Sequence, residues 1–403
     1  MDLVNELVHA LRNTKQRRGQ VAAARKLREL LYLAAARRKF STQPDLTAYE
    51  LHEAFLAGGG MQAAVRLLTS AQQAGTLEAA ELLAAACSVP EAAAELAAAG
   101  GVEPLVQLLG GTEVSRTRTA AVSALADAAG WSDAVRTAAA AAGCVPLAVA
   151  VFQEAAAEVP VQPTDALFKS GELLITLAWH HAGVVLASGA AAALVALAPS
   201  DPFVCTRALT TLGQLTAAAG ACRGEAAAAI VAAGGLPSLV RCLRGDGGLR
   251  WPNASDIAFT VPQLAAGLLG DMAEVSPQLA ANIEAAGAVT SLEWMLRNST
   301  HRGERGWTAT ALANIRRSAA IAAADSGAAP EAADAPSAAA PRRMCAAPGC
   351  GNTRGLRSCG GCHVARYCSA ACCKAHWREH KPECRRLQAE AAAAAAAAAE
   401  PEP

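Results

Sequence analysis

The sequence predicts an all-α protein: a helical solenoid, then a flexible linker, then a small module held together by metal ions. Three observations predict it. Hydrophobic residues make up 53% of the chain but aromatics only 4%, so alanine carries the apolar content. Alanine is the best helix former and buries little area per residue, which favours many closely packed helices. A glycine-led apolar phrase recurs along the first 320 residues, and eight of the 13 cysteines crowd between Cys345 and Cys384.

The 403 residues carry 35 Lys+Arg against 35 Asp+Glu, a net charge of zero that argues against a general polyanion binder. No run reaches the 18 or more strongly apolar residues of a membrane helix. The nearest candidate, 173–198, is interrupted by His180 and His181. The N-terminus lacks a signal-peptide core, so the expected location is intracellular, cytoplasmic or nuclear. Residues 1–40 hold ten Lys/Arg and three acids, but Asp2, Glu6 and the scarcity of Ser favour an exposed amphipathic helix over a transit peptide. Residues 1–49 are expected to form capping helices.

Residues 50–320 repeat. The phrases are GGGMQAAVRLL (58–68), GGVEPLVQLL (100–109), GCVPLAVAV (143–151), GAAAALVAL (189–197), GGLPSLVRCL (234–243) and GAVTSLEWML (287–296). With Gly60, Gly101, Gly143, Gly189, Gly235 and Gly287 as markers, the spacings are 41, 42, 46, 46 and 52. A period of about 40–47 belongs to helical solenoids of the armadillo and HEAT type. Glycine suits the left-handed residue just past a helix end. Pro104, Pro146 and Pro237 suit the first turn of the next helix. Leu105, Leu108 and Leu109 share one helix face, which a single unit cannot bury and stacked units can. The scattered Cys87, Cys144, Cys205, Cys222 and Cys242 read as small buried hydrophobes. The phrase AAGGVEPLVQLL resembles armadillo repeats, and six copies in register make the array armadillo-like.

Armadillo arrays usually bind extended peptides along a groove lined by each repeat's third helix. In import receptors of that family a Trp, with an Asn four residues later, grips the peptide. Here the third helices are 121–128, 173–180, 208–215, 265–272 and 308–315. The Asn position holds Asp127, Trp179, Gln214, Asp271 and Asn314; the Trp position holds Ser123, Ile175, Thr210, Gly267 and Thr310. Only Asn314 matches, so capture of nuclear signals by that mechanism is not expected. The adjacent His180 and His181 diverge by about 100 degrees on a helix and are read as structural.

Residues 321–342 contain mainly small, Pro and acidic residues and are read as a disordered Ala/Pro linker. In 343–386 the order is C-x4-C-x8-C-x2-C-x5-C-x3-C-x7-H-x3-C, formed by Cys345, Cys350, Cys359, Cys362, Cys368, Cys372, His380 and Cys384. Four close-spaced pairs of soft ligands suit two tetrahedral Zn(2+) ions per chain, each structural because all four positions are taken by protein. His376 shares a helical face with Cys372, His380 and Cys384 and competes as a ligand; the x3 spacing to Cys384 favours His380. Cys373 competes with Cys372, but its side chain would point off the site; His363 reads as a surface residue. Residues 387–403 are an Ala-rich tail expected to extend the last helix.

The pattern, with Tyr367-Cys368-Ser369 and the stretch 374–381 (KAHWREHK) ending at Cys384, resembles a MYND finger. The resemblance implies a cross-braced fold in which Cys345, Cys350, Cys368 and Cys372 hold one zinc and Cys359, Cys362, His380 and Cys384 the other. It also implies docking of short proline-containing peptides. Cys373 departs from the family's usual Gln and puts partner choice in question. Residues 342–386 hold ten Lys/Arg and two acids, about +5 once two metal ions and seven thiolates are included. Only Tyr367 and Trp377 are aromatic there, so nucleic acid is not the expected partner.

The expected function is a non-enzymatic protein–protein interaction adaptor; a protein or peptide partner is expected, and no membrane. The alternative is a methyltransferase-associated or nucleic-acid-binding regulatory protein. Against an enzyme, the chain has no Gly-rich cofactor loop, no Asn-His-Cys segment and no nucleophile elbow. Against a ubiquitin-ligase finger, it lacks the longer loop between the second and third ligands and a final C-x2-C.

Overall fold

The computed structural model describes residues 2–13, 15–40, 46–70, 75–111, 116–157, 164–244, 260–299, 301–325, 347, 350, 357–359 and 365–397. The chain divides into two compact units, Met1–Ala329 and Pro330–Pro403.

The first unit opens with α1 (Asp2–Arg12) and α2 (Arg17–Phe40). Val4, Val8 and Leu11 lie on one face of α1 and are buried. Six three-helix repeats follow among the described residues. They are α3 (Leu46–Ala57), α4 (Gly60–Thr69) and α5 (Thr76–Ala86); α6 (Pro90–Ala98), α7 (Val102–Leu109) and α8 (Arg116–Trp131); then α9 (Asp133–Ala141), α10 (Cys144–Ala156) and α11 (Asp165–His180). The series continues with α12 (Ala182–Ala187), α13 (Ala190–Leu197) and α14 (Pro202–Ala217); α15 (Ala221–Ala232), α16 (Gly235–Arg244) and α17 (Val261–Ala273); and α18 (Pro277–Ala285), α19 (Ala288–Asn298) and α20 (Arg302–Asp325). The first repeat's third helix, α5, lacks the polar marker positions and was not among the third helices expected from the sequence. The last, α20, runs five residues beyond position 320. The long spacing of 52 between Gly235 and Gly287 fits a loop insertion at 246–253 (DGGLRWPN), which lies outside the described residues.

The repeat glycines divide into two kinds, and this refines the sequence reading. In the pairs Gly59-Gly60, Gly100-Gly101 and Gly234-Gly235 the first glycine is the left-handed one, at φ 76°, 70° and 74°. The second is needed for space: a Cβ on Gly235 would lie 2.6 Å from Ile230 Cγ2 and 2.7 Å from the Ile230 carbonyl oxygen. The turn folds the first helix of a repeat sharply onto the second, by 87° between α9 and α10 and 84° between α15 and α16. Both pairs are apolar, but they are core helices of the stack. No single helix among the described residues is long and apolar enough to cross a membrane.

Polar caps start several helices. Thr164, Asp201 and Thr260 accept hydrogen bonds from the backbone N–H groups of Leu167, Phe203 and Gln263 at the starts of α11, α14 and α17. The third helices stack in series through small residues. In α8, Ala121, Ala124, Ala128 and Ala129 are fully buried; in α17, a Cβ on Gly270 would lie 3.0 Å from Ala311 Cα of α20. Close approach of this kind is the structural use of the chain's alanine. One hydrophobic core runs from Val4 to Ile315. Cys87, Cys144, Cys205 and Cys242 are wholly buried within it, and burial pushes the Cys144 thiol up to about 12.

In the second unit, β1 (Arg357–Ser358) pairs antiparallel with β2 (Arg366–Tyr367), and α21 (Ala370–Ala397) follows, taking the start of the Ala-rich tail into the helix. Among the described residues its core is Ala347, Cys359, Tyr367 and Cys384.

Candidate metal centre

Ser369 opens α21 by accepting a hydrogen bond from the Cys372 N–H at 3.2 Å. From there the 3.6-residue turn places Cys372, His376, His380 and Cys384 along one face. The short hairpin brings Cys359 alongside, tied by a 2.7 Å hydrogen bond from its N–H to the Ala365 carbonyl.

Two ligand groups result. Cys350, Cys368 and Cys372 form one, and Cys359, His380 and Cys384 form the other, the ligand atoms of each lying within 4.8 Å of one another. In chain order the groups interleave, so the cross-brace implied by family resemblance is present in the geometry. Sulfur–sulfur separations are 3.5 Å (Cys350–Cys368), 3.6 Å (Cys368–Cys372), 3.6 Å (Cys350–Cys372) and 3.8 Å (Cys359–Cys384). A disulfide requires about 2.05 Å. Thiolates about 2.3 Å from a common tetrahedral ion would stand about 3.8 Å apart. The donor set and its spacing therefore fit zinc. The fourth expected members, Cys345 and Cys362, lie outside the described residues, as does His363.

The structure separates the competing histidines. His380 is buried, at 6% exposure, inside its ligand group. His376 belongs to neither group. Its Nδ1 lies 3.1 Å from the Tyr367 hydroxyl and its Nε2 3.7 Å from Glu379. Cys373, too, lies in neither group. The buried ring of Tyr367 packs edge-on against both His376 and His380, at 5.9 Å between ring centroids in each case, and Trp377 packs against His380 at 6.0 Å. The sequence marks these two aromatics as structural; their packing against His380 joins separate elements and shows only in the fold.

The groove positions on the solenoid are largely committed to the protein itself. Asp127 accepts a 2.6 Å bond from Lys169, which also reaches Glu172 at 3.0 Å. Burial opposes the charge of Lys169, but these two acids outweigh it and raise its pKa. Burial raises the Asp271 carboxyl, with Arg223 acting against it and Glu274 adding to it. Asn314, the single match to the import-receptor pattern, is buried; its amide donates to the Gly270 carbonyl at 3.4 Å and accepts from Arg317 at 3.3 Å. At Gly267 a Cβ would lie 2.2 Å from the Trp307 ring, so an indole from one turn early in the next repeat covers a position where that family carries its own Trp.

Among comparisons with known proteins, the family model described as MYND finger matches residues 345–384. The crystal structure of an engineered protein, Northeast Structural Genomics Consortium target OR497, is similar at 27% identity and TM-score 0.58, covering 81% of this chain and 82% of that one. A second engineered protein, target OR366, matches at 24% identity and TM-score 0.52 over 64% of this chain and 98% of its own. A designed armadillo repeat protein, YIII(Dq)4CqI, aligns at 17% identity and TM-score 0.41 over 77% of this chain and 99% of that one. No curated protein matches. With its stacked three-helix repeats and its interleaved ligand groups, the chain carries a MYND-type zinc finger, at residues 345–384, together with an N-terminal armadillo-like array.

Proposed function

We propose that this protein is a non-enzymatic adaptor, in which the solenoid is a scaffold and the finger docks short proline-containing peptides. Two structural zinc ions hold the finger, one on Cys345, Cys350, Cys368 and Cys372, the other on Cys359, Cys362, His380 and Cys384. The observation that carries the reading is the interleaving of the two described ligand groups. With a fourth protein ligand each, both ions are closed to water and substrate, as structural zinc is.

Among the described residues the finger's own core is four residues, too small to fold by burial. Metal binding then supplies its folding energy, about 10–16 kcal/mol per structural site. The experiment is capture of partners from a lysate by the intact protein and by a Cys345→Ala, Cys359→Ala variant, alongside a methyl-transfer assay with labelled donor. Zinc-dependent capture of proline-containing ligands without turnover supports the adaptor. Turnover, or capture indifferent to the double substitution, defeats it.

A further inference from the structure

Helix α21 carries a second surface besides its ligand face. At about 100° per residue, Lys374, Arg378, Lys381 and Arg385 fall within about 60° of one another, and about 150° round the helix from the face of Cys372, His376, His380 and Cys384. All four cations are exposed. The row spans eleven residues, about 16 Å along the axis. Ala371 and Ala375 border it on one side, and Trp377, 41% exposed, on the other.

Nothing in the fold accounts for this row. Among the described residues, none of its four side chains makes a hydrogen bond or an ion pair. Glu379 is turned away from it, with its Oε2 3.7 Å from His376 Nε2. Like charges three and four residues apart oppose helix formation, and three such steps follow one another from Lys374 to Arg385. The row therefore weakens the helix that carries the ligands until negative charge meets it. An anionic partner relieves that repulsion.

We propose that this row docks a run of about five consecutive Asp or Glu residues in an extended segment of a partner protein. The length follows from the span, because an extended chain covers about 16 Å in about five residues. Successive cations stand about 4.5–6 Å apart along the axis. Same-side carboxylates of an extended strand stand about 6.6–7 Å apart, a difference that flexible Lys and Arg stems absorb. Nucleic acid fits the surface less well. A single strand needs rings on which to stack, and the Trp377 ring is packed against His380. A duplex brings a second row of phosphates, and the flank begun by Ala371 and Ala375 continues to Glu379. The site adds an acidic class of partner to the adaptor reading, and rests on that reading only for the zinc-held fold of the finger.

The test uses the zinc-loaded full chain and a dye-labelled peptide of five Glu flanked by Gly-Ser repeats, read by fluorescence anisotropy. The expected result is about tenfold tighter binding than the matched Gln peptide, which four exposed ion pairs can supply, and weakening as salt rises. Arg378→Glu with Lys381→Glu abolishes the preference at unchanged zinc content. Arg302→Glu with Arg305→Glu, the same charge change at exposed solenoid positions, leaves it intact. Equal binding of the Glu and Gln peptides, or no binding of either, overturns the proposal on the wild-type protein alone, whatever the stability of the variants. Equal loss in the solenoid variant overturns it in favour of net charge. A short DNA duplex or phosphatidylserine vesicles that displace the Glu peptide at equal anionic charge overturn its peptide character. The probe contains no proline, so this docking and that of proline-containing peptides fail separately.

Discussion

Replacing His380 by Ala removes the nitrogen donor that the structure places with Cys359 and Cys384, whereas replacing His376 removes a ring that bonds Tyr367 and stacks on His380 but belongs to neither ligand group. The two residues lie four apart on one helix face, so sequence alone makes them rivals. The magnitudes separate them. On the proposed ligand set, His380→Ala takes one of four ligands from a closed site whose binding energy is about 10–16 kcal/mol, and the zinc of that site is expected to be lost on dialysis against a competing chelator. His376→Ala loosens the ring that orients His380. Removing such an outer partner costs about 10–100-fold in affinity, or about 1.4–2.7 kcal/mol, leaving both ions bound in excess zinc. Elemental analysis of the reduced proteins gives the count, and chelator titration gives the affinity. Full zinc content in His380→Ala, or loss of an ion in His376→Ala, would refute the assignment of ligands.

Three further outcomes follow from the solenoid. Gly234→Ala, at φ 74° with open space around it, is expected to cost about 1–2 kcal/mol from backbone strain. Gly235→Ala meets the Ile230 backbone and is expected to cost about 3 kcal/mol, a larger drop in urea midpoint. Arg118, 2% exposed, donates to the Leu109 carbonyl at 2.7 Å and pairs with Glu154. Arg118→Met orphans that buried carbonyl and should cost about 1–3 kcal/mol by the same measurement. Burial raises the Glu78 carboxyl, but the hydrogen bond from Arg25 and the charges of Arg25 and Arg116 outweigh it, so the folded pKa falls below the ordinary 4.5. A depressed carboxylate stabilises the fold above its ordinary pKa and loses that contribution as pH falls through the folded value. Below pH 4.5 the attachment of α2 to α5 should therefore weaken, and Glu78→Gln should flatten that part of the stability–pH curve.

Reading the chain residue by residue located the repeats because each turn needs a glycine and each second helix an apolar face; these are local demands. The pairs Gly100-Gly101 and Gly234-Gly235 also illustrate its limit. Placing the marker on the second glycine was off by one residue, because φ and steric clearance look alike in a one-letter code. Clearance at Gly235 depends on Ile230, and at Gly267 on Trp307, forty residues away.

By itself the sequence determined the helical array, the zinc-suited donor types and the preference for His380 over His376, because spacing along a helix is a covalent property. Tertiary structure alone decided that Asn314 is consumed by Gly270, that Tyr367 packs against both histidines, and that the Arg207 guanidinium lies against the Phe168 and Phe203 rings. Each of those outcomes joins groups from different elements, and which neighbour a side chain meets is set by how whole elements stack.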